Sequence, residues 1–147
     1  MRFLVDTNIL LHAVNTSAPE NEAARRFFHD TAVRATPWRL TWSIIYEFLR
    51  VSTHHQVFTK PLDANRAWGF IESLLQSEMV GILQPTDRHS VVLRQTLAEH
   101  PAMAGNLFHD FHAAVLMREH GVSEIITADT DFLQFRFLKV NNPIHQS

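Results

Sequence analysis

Arg2-Phe3-Leu4-Val5-Asp6-Thr7-Asn8 opens the chain with a short apolar run that stops at an acid. Such a run reads as a buried strand with a carboxylate at its exit. Working outward, helix-like and strand-like segments alternate to the end. Ser17-Ala18-Pro19-Glu20 reads as a helix start, with proline tolerated in the first turn and Glu20 and Glu22 suited to the positive end of the dipole. Ala23, Ala24, Phe27, Phe28 and Thr31 follow at helical spacing. Arg39 to Trp42 reads as a second, weaker strand, and Ser43 as the cap of a helix through about Ser52. The clearest helix runs from Asp63, its cap, to about Ser77, with Ala67, Phe70, Ile71, Leu74 and Leu75 on one face. Val80 to Gln84 is a strand ended by Pro85, and Asp87 caps a helix toward Glu99. Asn106 or Leu107 starts a helix that stops at Gly121, and Glu124 to Thr127 and Phe135 to Val140 are the last strands. Strands separated by helices predict an α/β fold with a mostly parallel sheet covered on both faces and right-handed crossovers.

Composition bounds the function. With 147 residues, 46% of them hydrophobic, and no linker, repeat or low-complexity stretch, the sequence predicts one domain over 1–147. A mean hydropathy of −0.09 is far from that of a disordered chain. Zero cysteines exclude a disulfide scaffold, a thiolate zinc site, an iron–sulfur cluster and a cysteine nucleophile. No apolar run approaches the ~18 to 20 residues of a membrane span, and Asp6 falls where a signal peptide would continue its apolar core. The expectation is a soluble cytoplasmic protein without a membrane partner. Thirteen Lys and Arg against fifteen Asp and Glu give a net charge of −2, which lacks the basic excess of many nucleic-acid binders. Any claim of such a partner has to rest on a local feature.

The acids supply one. In open parallel sheets ligands bind beyond the carboxyl ends of the strands. Asp6 leaves the first strand there, and Asp129 and Asp131 follow the strand Glu124 to Thr127. Glu47 lies four residues after Ser43, and Asp110 lies near the start of the helix ending at Gly121. Helical side chains lean toward the N-terminus, so both can reach the same edge. Five carboxylates from four segments would repel one another unless a hard cation such as Mg²⁺ or Mn²⁺ joined them. Such an ion would activate water and stabilise charge at a phosphodiester, and would attract a polyanion despite the net charge. Taken singly, an acid at a helix or strand start is often only a cap. Glu47 is less easily explained so, because Ile44, Ile45, Tyr46, Phe48 and Leu49 surround it in sequence.

Competing patterns fit less well. His109-Asp110 matches the metal-binding pair of HD-type phosphohydrolases, but that fold is all-helical. A haloacid-dehalogenase-like phosphatase needs a second aspartate where Asn8 stands. Glycines at 69, 81, 105 and 121 build neither a phosphate loop nor a dinucleotide fingerprint. No Gly-x-Ser-x-Gly elbow is present. Trp38, Trp42 and Trp68 read more readily as packing than as stacking platforms, and the scattered arginines as solvated surface.

Val5-Asp6-Thr7-Asn8-Ile9-Leu10, Tyr46-Glu47-Phe48, His109-Asp110-Phe111-His112-Ala113-Ala114 and Thr127-Ala128-Asp129-Thr130-Asp131-Phe132 together resemble the ordered motifs of PIN domains, over residues 2 to about 140. Length and layout resemble the VapC-type toxins of bacterial toxin–antitoxin pairs. The resemblance implies a three-layer α/β/α sandwich and a metal-dependent endoribonuclease with RNA as substrate, often a homodimer and held inactive by a cognate antitoxin. By position, Asp6 and Asp110 match the acids assigned as metal ligands, and Glu47 matches the second acid. Asp129 and Asp131 are both candidates for the fourth. Asn8 and Thr127 match polar residues that orient the acids. The histidine-rich flank, His109 and His112, departs from the general motif. The resulting expectation is a Mg²⁺- or Mn²⁺-dependent ribonuclease, the toxin of a type II pair. Alternatives are a non-cleaving RNA- or protein-binding module on the same fold, or a metal-dependent phosphohydrolase.

Overall fold

A computed structural model describes residues 2–145; positions 1 and 146–147 of the expected 1–147 domain lie outside the described residues. Five three-residue strands form one parallel sheet: β1 (Phe3–Val5), β2 (Trp38–Leu40), β3 (Val80–Ile82), β4 (Glu124–Ile126) and β5 (Lys139–Asn141). Their order is β3-β2-β1-β4-β5, so the first strand is central. Leu4 pairs with both Arg39 and Ile125, and Ile126 pairs with Asn141. All three residues of β1 are buried, which explains an uninterrupted apolar run in place of alternation.

Six helices cover the sheet: α1 (Thr7–Val14), α2 (Asn21–Val33), α3 (Trp42–Ser52), α4 (Ala64–Leu75), α5 (His89–Glu99) and α6 (Leu107–Glu119). From β1 the chain steps outward through β2 to β3, then returns across to β4 and β5. With right-handed crossovers, the outward steps place α1 to α4 on one face and the return places α5 and α6 on the other. The packing agrees: α1 touches α2 and α3, α3 touches α4, and α5 touches α6. The expected α/β/α sandwich is therefore present. The reversal of direction at β1 and β4 opens a crevice between their carboxyl ends, where a ligand site is expected.

Several local expectations need correction. The sequence reading found no helix directly after Asp6, yet α1 begins at Thr7, because the Asp6 side chain accepts from the Thr7 N–H and caps it. The cap of α3 is Thr41, whose hydroxyl accepts from the Ile44 N–H, rather than Ser43. Asp87 does not cap α5, whose N-terminus makes no side-chain cap. That end is tied instead to α6: the Glu119 carboxylate accepts from the Thr86 N–H (3.3 Å) and hydroxyl (2.9 Å) and meets His89 Nδ1 at 2.7 Å. The segment expected as a strand from Phe135 shortens to Lys139–Asn141, because a 3₁₀ turn occupies Thr130–Gln134 and sends Phe132, Phe135 and Leu138 into the core. Asp63 caps α4 as expected. Gly121 follows α6 with φ 70°, the left-handed stop that glycine favours.

One helix ends the same way without glycine. Ala35 follows α2 with φ 51°, while the Thr36 N–H closes back to the Thr31 carbonyl at 3.0 Å. This six-to-one closure needs a left-handed residue, a conformation in which a Cβ is strained. No helix among the described residues is long and apolar enough to cross a membrane.

Candidate functional site

Asp6 is the first acid beyond the sheet. Its Oδ1 accepts from the Thr7 N–H at 2.8 Å, and its Oδ2 accepts from the Thr127 hydroxyl at 2.7 Å and the Asn8 amide at 3.1 Å. Thr127, fully buried at the end of β4, also accepts from the Asn8 amide (3.0 Å) and the Asp129 N–H (2.9 Å). The Asn8 side-chain carbonyl accepts from the Ala128 N–H at 3.0 Å. One network thus locks the exit of β1 to the exit of β4 and fixes where Asp6 and Asp129 stand. Burial pushes the Asp6 carboxyl up, with nearby Glu47 and Asp129 adding to it, while the Thr127 and Thr7 hydrogen bonds oppose the rise.

The structure brings Asp6, Glu47, Asp110, Asp129 and Asp131 together along one open cleft of about 1010 Å³. Within it, one oxygen each from Asp110, Asp129 and Asp131 lies within 4.8 Å of the others. Asp129 caps the 3₁₀ turn, accepting from the Asp131 N–H at 2.9 Å, which turns both side chains to the same place. Asp110 sits in the first turn of α6. Its carboxyl is pushed up to about 7, by burial first and then by Asp129, Asp6, Asp131 and Glu47. Without a counter-charge, this constellation holds a proton close to neutral pH. Oxygen-only donors this close suit a hard dication better than a soft one.

Glu47 differs from its sequence context. Ile44, Ile45 and Phe48 are buried under α3, whereas Glu47 is exposed on the opposite side, at the cleft. Its carboxylate is met by the Thr7 hydroxyl at 3.5 Å.

Residues 3–138 match the sequence family described as the PIN domain. The chain belongs to the PIN-domain family. It is similar to two proteins of Mycobacterium tuberculosis, ribonuclease VapC37 and ribonuclease VapC43, at 29% and 31% identity over 140 residues. Those alignments cover 95% of this chain and 96% and 94% of the relatives. Among solved structures, VapC20 of the same organism, described as a sarcin–ricin-loop-cleaving toxin, shares the fold with a TM-score of 0.67 at 18% identity. The match covers 95% of this chain and 99% of that one.

In this PIN domain two cleft residues, Thr7 and Ser43, had no site role in the sequence reading. Thr7, next to Asp6, reaches Glu47 across 40 positions. Ser43, freed from capping, places its hydroxyl 3.2 Å from His112 Nδ1 in the cleft wall. Burial pushes the His112 imidazole down, and His89 and His109 beside it add to the effect. The only sequence signal for this pair was the unusual histidine flank of Asp110.

Proposed function

We propose that this chain is a metal-dependent endoribonuclease of the VapC type, the cytoplasmic toxin of a type II toxin–antitoxin pair. It hydrolyses RNA phosphodiester bonds at carboxylates that hold Mg²⁺ or Mn²⁺. The observation that carries the reading is the convergence of Asp110, Asp129 and Asp131 within 4.8 Å in an open cleft, with Asp110 pushed up to about 7. The donor set fits the ion: all ligand atoms are carboxylate oxygens, and their mutual repulsion is what a dication relieves. Asp110 with Asp129 and Asp131 would hold it. Asp6 lines the same cleft and keeps a lone pair on Oδ1, which accepts only one hydrogen bond, so Asp6 joins Asp110 as a proposed ligand.

A bound ion would polarise a phosphoryl oxygen and acidify a water. The protein's own residues supply the rest. Asn8 and Thr127 keep Asp6 in one rotamer, so no reorganisation is needed on engaging substrate. Glu47, exposed at the cleft and touched by Thr7, takes the proton of the attacking water. Water oxygen joins phosphorus, one P–O ester bond breaks, and the leaving alkoxide recovers a proton. Similarity to VapC ribonucleases supports RNA as the substrate, and the VapC resemblance supports a cognate antitoxin and a second copy as protein partners.

The test is direct. Protein purified free of antitoxin cleaves RNA with Mn²⁺ or Mg²⁺, EDTA stops it, and Asp129→Asn and Asp131→Asn each lower the rate. Cleavage that survives exhaustive chelation overturns the metal, and intact RNA at every metal concentration overturns the nuclease.

A further inference from the structure

One face of α3 is left over by the acidic site. Trp42, Tyr46 and Arg50 recur every four residues and so lie along one side of the helix. Ile44, Ile45 and Phe48 turn to the core, so this side is not needed for packing. Tyr46 is 68% exposed and Trp42 is 40% exposed, with ring centroids 6.5 Å apart. Tyr46 and Arg50 line the same cleft as the acids, and Arg50 is the only Lys or Arg that does so among the described residues. None of the ion pairs among the described residues includes Arg50. The stripe therefore runs from open surface into the acidic site and ends in an unengaged cation.

We propose that this stripe is the substrate-positioning surface for single-stranded RNA: a base stacks on the Tyr46 ring, Trp42 extends the platform, and Arg50 takes a backbone phosphate. The proposal rests on the ribonuclease reading and adds the position of the bound nucleotide. An exposed ring offers its π-face to a base only if that base is free of its own stack, which selects single strands, loops and bulges over duplex. The polar neighbours matter too. A protein partner would need a continuous apolar face, whereas these rings are interleaved with Ser43, Glu47 and Arg50, all exposed. That mixture suits a polyanion carrying flat apolar bases. The cation also answers a difficulty of the site, since a phosphate approaching five carboxylates gains from a fixed positive charge on the cleft wall.

The experiment uses a fluorescein-labelled pool of randomised short RNA oligonucleotides. Binding is read in the Asp110→Asn background and cleavage in the wild-type background. Tyr46→Ala raises Kd and KM about tenfold, as loss of one stacked base does, with kcat within about twofold. Tyr46→Phe, which keeps the ring, restores both. Arg50→Ala lowers the slope of log affinity against log salt by roughly 0.7, the share of one single-strand phosphate contact. Duplex RNA of the same length binds more weakly than the single-stranded pool and is indifferent to Tyr46. If the wild type cleaves RNA while Tyr46→Ala matches it in Kd and KM, the platform is overturned and the nuclease stands. If Tyr46→Ala changes sedimentation from dimer to monomer with RNA affinity intact, the face is an interface between copies and the platform is overturned. Tyr46-dependent binding without cleavage by the wild type supports the platform and overturns the nuclease.

Discussion

Replacing Asp110 by asparagine keeps the side chain's shape and removes the charge, so it isolates what crowding costs the fold. The carboxyl ionises near 3.8 in an unfolded chain and near 7 in the cleft. The native state therefore holds its proton more tightly than the unfolded state does. Stability from this group is full below about pH 4, and it is lost as pH rises through 7. The displacement from 3.8 to about 7 sets an upper limit of ~4 kcal/mol. Solvent in the open cleft screens the repulsion, and roughly 2 kcal/mol is the expected loss. For a chain of this size that is a fall of about 4 to 8 °C in melting temperature. The assay is urea or thermal unfolding of metal-free protein in EDTA at half-unit steps from pH 5 to 8. The quantity read is the difference between the wild-type and Asp110→Asn profiles, in which the contributions of all other groups cancel. The variant should gain on the wild type as pH rises and lie about 1 kcal/mol above it near pH 8, relative to pH 5, since part of the loss falls below pH 5. Added Mn²⁺ should erase that gain, since deprotonated ligands bind the ion best. Superimposable profiles, or a variant that loses ground with rising pH, would refute the crowded-carboxylate account of the cleft.

Thr127→Val preserves volume but leaves Asp6 without its closest donor, the Asp129 N–H without its acceptor and the Asn8 amide with Asp6 alone. A loss of about 1 to 3 kcal/mol in stability and ~10- to 100-fold in Mn²⁺ affinity is expected by unfolding and calorimetric titration; unchanged affinity would separate this network from the metal site. Ala35→Gly removes Cβ strain at an exposed left-handed position. It should stabilise the chain by about 0.5 to 1 kcal/mol, because a relief of about 1 to 2 kcal/mol is partly offset by the glycine's extra freedom when unfolded. A lowered melting temperature would show that the strain is absent.

The strands and the acids at their exits were legible because both follow from local pattern: a short apolar run, then a carboxylate. Asp6, Asp129 and Asp131 were placed at one edge on that basis, Glu47 and Asp110 by the lean of helical side chains toward the N-terminus, and all five line the cleft. The missed α1 has a physical reason. A helix that starts one residue after a buried strand leaves no loop signature, and Asp6 serves both as site residue and as cap. Ser43 and Thr41 are equally good capping residues on paper; only the strand's end at Leu40 decides between them. The apolar content of Phe135 to Val140 suggested a strand, yet three of its aromatic and aliphatic side chains fill the core or its margin from a turn and its exit. Tyr46 was invisible as a surface feature because exposure depends on which neighbours the tertiary fold turns inward.

The central position of the first strand also has a consequence in time. The hydrogen bond from Thr127 to Asp6 joins residues 121 positions apart, and β1 cannot be flanked on both sides until β4 has been made. At the usual ~5 to 20 residues per second of synthesis, that gap lasts roughly 6 to 24 s. For most of it the nascent chain carries Asp6 without Asp110, and for all of it without Asp129 or Asp131. The acidic cleft is therefore completed only when the chain has grown past Asp131, and no shorter length of nascent chain contains it.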